Sequence, residues 1–129
     1  MKKAHLLVGV SGLLLFLLPG QYMHFALGHL HDMPAASRLL YRSAHIYLLW
    51  SSLLNAVLGC YMVKTPHAHL IWLQRFGSGI IMAGPILLCA GFFYEPEMQE
   101  LARPFSRAAI YLSALGVVMH GFTALSKRG

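Results

Sequence analysis

The sequence predicts an all-α fold: an integral membrane, up-down four-helix bundle forming a single domain over residues 1–129. Three observations predict it. The chain is 57% hydrophobic and only 11% charged, whereas a soluble domain carries about 25% charged residues. Its apolar residues fall in four blocks, roughly 6–28, 39–63, 70–94 and 107–125. Each is long enough to cross ~30 Å of hydrocarbon at ~1.5 Å per helical residue. Lipid offers the backbone no hydrogen-bond partners, so each block must close its own bonds as a helix. The alternating pattern of a membrane barrel is absent. Finally, the charges are sorted by end. Lys2, Lys3, Lys64, Arg75, Lys127 and Arg128 flank one set of helix ends, and Arg38, Arg42, Arg103 and Arg107 flank the other. All four acids, Asp32, Glu95, Glu97 and Glu100, share the second set. Basic residues concentrate in cytoplasmic loops, so both termini are expected in the cytoplasm and the protein in the cell inner membrane. The net charge of +6 then reads as a topology signal and a lipid contact. Nucleic-acid binding is excluded, because no basic groove with stacking aromatics is present.

Span one is expected over about 5–28. The opening MKKAHLLVGVSGLLLFLLPG has the basic start and apolar core of a secretory signal, and Ala26-Leu27-Gly28 offers small residues at cleavage spacing. The apolar run continues past Pro19 through Tyr22, Met23, Phe25 and Leu27, which favours an uncleaved span kinked at Pro19-Gly20. In the first loop Asp32 is placed to cap the next helix and Pro34 to fit its first turn. Span two is expected over 37–63, and Pro66 breaks the chain before span three at 70–94, with Trp72 and Arg75 at the interface. Gly84-Pro85 predicts a mid-span kink. Residues 95–104 are expected to form a loop with a short amphipathic turn, before span four at 105–126. Short connections make consecutive helices antiparallel neighbours. Cys60 and Cys89 lie inside apolar blocks with no Cys-x-x-Cys and are read as core residues.

Helical spacing of ~100° per residue lines up the sparse polar and small residues. Span two aligns Arg38, Tyr41, His45, Ser52, Asn55 and Gly59; span four aligns Ser106, Ala109, Ser113, Gly116 and His120. Span three sets Gly77, Gly84 and Gly91 at sevenfold spacing with Glu95 next, and span one offers Gly20, His24 and Gly28. Small residues let membrane helices approach closely and polar side chains bond across them. Ser52, Asn55, Ser113 and His120 are therefore expected to form a polar seam inside the bundle.

Three candidate sites lie near the acid-bearing end. His24 and His45 are candidates for cofactor binding, since two facing imidazoles would ligate the iron of a haem b. His5 and His24 lie 19 residues apart, ~28 Å along a helix, which argues against a stacked haem pair; His5 is the evident intramembrane partner of His120. His24, His29 and His31, beside Met23, Asp32 and Met33, are candidates for copper or zinc, although the spacing matches no metal motif. Arg38, Arg42, Arg103 and Arg107 are candidates for a lipid head group, arginine being a bidentate phosphate donor. Glu95 and Glu97 are expected to form semi-exposed pairs with the arginines. No carboxylate is placed at mid-span, and no Gly-x-Ser-x-Gly, His-Glu-x-x-His or phosphate loop occurs.

The segment LLCAGFFYEPEMQELARPFSRAAIYLSALGVVMHGF, Leu87 to Phe122, resembles the last two spans of a family of small, uncharacterised four-span membrane proteins of bacteria and mitochondria. Phe92-Phe93-Tyr94 matches its aromatic closure of span three, and Leu101 to Pro104 its approach to span four. Gly28-His29, Tyr41 and His45 match its first loop and second span. Phe105-Ser106-Arg107 and His120-Gly121 depart from its Pro-Gly-Gly and Gly-Trp. The resemblance implies four spans and no assigned activity. Four functional classes follow: an accessory or structural subunit packing with itself, lipid or a larger membrane complex; a haem- or metal-binding protein; a small oligomeric transporter; and a lipid-modifying enzyme.

Overall fold

The computed structural model describes residues 1–98 and 102–126; Glu100, Lys127 and Arg128, used in the charge argument, lie outside them. Among the described residues there are four long helices: α1 Lys2–Phe25, α2 Ala35–Tyr61, α3 Ala68–Met98 and α4 Pro104–Leu125. All four are long and apolar enough to cross a membrane. Contacts across successive helices run in opposite directions. His5 meets Asn55, Asn55 meets Ile81, and Ser78 meets His120 at the end carrying residues 1 and 126. Ser37 meets Pro96, and Ser106 meets Glu95, at the other.

The ends of the helices differ from the sequence expectation for physical reasons. α1 stops at Phe25, three residues early. Gly28, His29 and Leu30 then take left-handed backbone, with φ of 52°, 59° and 64°. That geometry costs non-glycine residues of order 1 kcal/mol or more each. It drives Leu30 into a cluster with Tyr41, Ala44 and Phe92, where burying a leucine stabilises by ~1.5–3 kcal/mol. Asp32 does not cap α2: Pro34 occupies the cap position with no side-chain bond. α3 runs on through Glu95, Pro96 and Glu97 to Met98, into the expected loop. It can do so because Glu95 turns inward instead of toward solvent. Pro104 opens α4 after Arg103, which has φ 49°.

α1 packs closely on α2 and α4 on α3, while α2 against α3 joins the two pairs. Small residues set both close seams. A side chain added at Gly9 would put its Cβ 2.7 Å from Cα of Ala56, and one at Gly59 2.6 Å from Cα of Leu6. On the other pair, Gly77 faces Gly116 and His120, Gly84 faces Ser113, and Gly91 faces Ser106. Close backbone approach of this kind is how membrane helices gain dispersion contact without a hydrophobic drive. The seam of α1 is His5, Gly9, Gly12 and Pro19; of the residues expected there, Gly20 is half-buried, while His24 and Gly28 are exposed.

Candidate functional site

The polar seam is organised around a proline. Pro85 has no amide hydrogen, so it cannot donate to the carbonyl of Ile81 one turn earlier. Asn55 donates to that carbonyl instead, at 3.2 Å, and to the Ser51 carbonyl of its own helix at 3.0 Å. With both amide hydrogens spent, the Asn55 oxygen faces Nδ1 of His5 at 2.8 Å. A carboxamide oxygen only accepts, so His5 carries its proton on Nδ1. Its Nε2 is buried and has no hydrogen-bond partner among the described residues. Three helices thus meet at one side chain.

The remaining seam residues fall on either side. Ser52 donates back to Leu48 at 2.6 Å. Ser51 and Ser113 both press on Gly84, and both hydroxyls are buried and unpartnered. Toward the end carrying residue 1, Ser78 shares a 3.0 Å bond with Nε2 of His120. The His120 ring lies edge-on to His5 with centroids 6.2 Å apart. Ser52, Asn55 and Ser113 are fully buried and His120 half-buried. Sequence reasoning named His5 as the partner of His120 without setting it on a packing face of α1, and it left Ser51 and Ser78 out of this seam. The signal for His5 was available: His5, Gly12 and Pro19 repeat at the same sevenfold spacing as Gly77, Gly84 and Gly91.

At the opposite end Glu95 is only 1% exposed. It accepts from the Ser106 amide at 2.8 Å and the Ser106 hydroxyl at 2.6 Å. This corrects the expected semi-exposed ion pairs: the carboxylate caps the start of α4, where the helix dipole favours negative charge.

The four arginines do not share one pocket. Arg103 donates to Ser43 and lies over the Tyr47 ring, 5.5 Å from its centroid. Arg107 donates to the Ala102 carbonyl at 3.2 Å. Arg42 lines a different recess, and Arg38 lies one turn from it on α2. The four guanidinium groups therefore do not form one site.

That recess, of about 530 Å³, collects Arg42, His24, His29, His31 and His45 with Met23, Gly20 and Leu30. The candidate histidines thus border one space without acting as a set. His45 stacks on Phe16 at 4.0 Å, and its Nε2 edge faces Gly20 of α1. The ring of His24 packs on His29 at 4.1 Å and Phe25 at 4.5 Å. Both imidazoles border the recess and pack a ring face or edge on a neighbouring ring. The rings of His24, His29 and His31 follow one another, with centroids 4.1 and 6.1 Å apart. Among the described residues, no three of the His, Cys, Asp and Glu side chains are placed to hold a metal ion.

Comparison of the chain with family models, curated proteins and solved structures finds no match.

Proposed function

We propose that this chain is a small multi-pass protein of the cell inner membrane, with both termini cytoplasmic, serving as an accessory or structural subunit. Six lysines and arginines flank the end with the termini, against four arginines at the other, and this bias supports that orientation. The resemblance to small four-span proteins is in keeping with it. The observation that carries the packing role is the exposure of α1. Only 11% of its most apolar stretch is buried within the molecule, and it is seated mainly on α2. Between α1 and α3 runs an apolar groove of about 560 Å³, lined by Leu15, Met82, Ile86 and Phe93 among others. A second copy or a larger membrane complex would supply the missing helix; lipid covers the rest.

A photo-crosslinking residue at Ile86 in native membranes tests this. The expected result is a discrete protein adduct, lost when Leu15, an exposed residue of the groove lining, is changed to tryptophan. Adducts to lipid alone would sink the accessory role. The recess at Arg42 supports the lipid part of the reading, since guanidinium and imidazole N–H groups suit a phosphate head group. Arg42→Gln is then expected to lower the anionic phospholipid retained on mild-detergent purification.

A further inference from the structure

We propose that His5 and His120 hold one soft, singly charged metal ion, copper(I) by chemical class, with the Met62 thioether as a third ligand. This site is separate from the outer recess and goes beyond the packing role, and either can fail alone.

The ligand atom that points to it is Nε2 of His5. His5 is 0% exposed, and its Nε2 has no partner. The proton sits on Nδ1, because the Asn55 oxygen can only accept it. In neutral imidazole that leaves Nε2 as a bare acceptor in the apolar interior. A buried acceptor left unmade costs about 1–3 kcal/mol, which makes Nε2 the atom of this seam that a cation or donor would satisfy. The Nδ1–H···Oδ1 bond to Asn55 is also the outer-shell contact that metal-ligating histidines make, fixing tautomer and ring angle.

The neighbours match a soft ion. The His120 ring stands 6.2 Å away, centroid to centroid. Two imidazoles sharing one ion, with metal–nitrogen bonds of about 2 Å, have ring centres roughly 6 Å apart. The Ser78 hydroxyl lies 3.0 Å from His120 Nε2 and 3.9 Å from the Met62 sulfur. An ion taking over the Ser78 contact with His120 would find the thioether within reach. Two neutral imidazoles and a thioether supply no counter-charge, which in low dielectric disfavours a divalent ion. Imidazole with thioether is the donor set that selects copper(I). Glu95, the buried carboxylate a divalent ion would want, is committed to Ser106 at the other end. A cavity of about 380 Å³, bordered by Thr65, Gln74 and Thr123, reaches two of the three ligands, Met62 and His120. Binding to neutral ligands releases no proton and changes no oxidation state.

The test uses the full chain in detergent, loaded anaerobically with copper(I) and challenged with a chromogenic copper(I) chelator. One ion per chain is expected to resist the chelator, with an X-ray absorption shell of two nitrogens and one sulfur. Copper(I) is also expected to raise the thermal unfolding midpoint, as any ligand of the folded state does. His120→Ala, at a half-buried position, is expected to weaken retention more than about 100-fold, beyond the usual loss from an outer-shell change, and to abolish the midpoint shift. Met62→Leu is expected to remove only the sulfur shell, and Ser78→Ala, which frees His120 Nε2, to retain the ion. The joint change of His24, His29 and His31 to alanine is expected to leave binding intact. Stripping of copper by the chelator from the folded wild type would overturn the proposal. So would equal retention by folded His120→Ala, or loss on changing the three outer histidines.

Discussion

Replacing Asn55 with leucine, of similar size, removes the side chain that joins α1, α2 and α3. Two groups are stranded by the change: the Ile81 carbonyl, freed by Pro85, and the Nδ1–H of His5. An unmade buried bond costs ~1–3 kcal/mol in soluble proteins, and interhelical bonds in membranes average nearer ~0.6 kcal/mol with a maximum of ~1.7. Taking ~1 kcal/mol for each stranded group predicts a loss of ~2 kcal/mol. Pro85→Ala provides the control, because alanine restores the amide that the Ile81 carbonyl lacks. In that background Asn55→Leu strands only His5 and should cost ~1 kcal/mol. The coupling between positions 55 and 85 is therefore ~1 kcal/mol, readable by denaturing-detergent titration in mixed micelles with Trp50 and Trp72 as fluorophores. Additivity within ~0.3–0.5 kcal/mol would refute the idea that Asn55 answers the proline.

Four further outcomes are expected. Gly84→Leu should destabilise the fold by several kcal/mol, since even the first added atom meets the Ser51 hydroxyl at 2.6 Å, and overpacking costs ~1–3 kcal/mol or more. Gly79→Ala and Gly121→Ala, which open on empty space, should shift the same titration by under ~0.5 kcal/mol. Glu95→Gln keeps the shape but loses the charge at the start of α4; a loss of ~1–3 kcal/mol is expected, with Ser106→Ala costing no more in the Gln background than alone. Single cysteines in a cysteine-free chain at Lys3 and Ser126 should react with an impermeant thiol reagent only after the inner face is opened, and one at Met33 in intact cells; the reverse pattern would invert the proposed orientation.

The number, order and direction of the helices were legible because hydrocarbon length and backbone satisfaction leave a chain of this composition few choices. The α3–α4 seam was legible for a similar reason: Gly77, Gly84 and Gly91 repeat at seven, and so do Ser106, Ser113 and His120. The helix ends were less legible. Glu95-Pro96 has the look of a loop start, yet α3 continues, because a carboxylate satisfied by Ser106 needs no water. On α1, Gly20 does face His45 of α2, whereas His24 and Gly28 are exposed; the rest of the face follows the run of seven from His5 through Gly12 to Pro19, which the polar residues near the helix end obscured. Nor could the sequence show that Arg103 turns to Ser43 and Tyr47 while Arg42 lines another recess. That division depends on side-chain direction, which spacing alone leaves open.

The seam also separates polar atoms that hold the fold from those available for something else. Asn55, Ser52, Ser106 and Glu95 have their bonds in place; each answers a backbone or helix-end demand, and substituting it should read out as stability. His5 Nε2, the Ser51 and Ser113 hydroxyls, His45 Nδ1 and Arg103 Nε are buried with none. Serine hydroxyls beside Gly84 are small, and leaving them unmade is a modest cost of the close α3 approach. An imidazole nitrogen is different: its lone pair is directional, strongly basic by hydrogen-bond standards and able to ligate. Since Asn55 already fixes the tautomer of His5, a purely structural seam would have been served by an amide or a hydroxyl at position 5. The selective loss of copper(I) retention in His120→Ala, with stability held, is what would distinguish the two uses of the same buried ring.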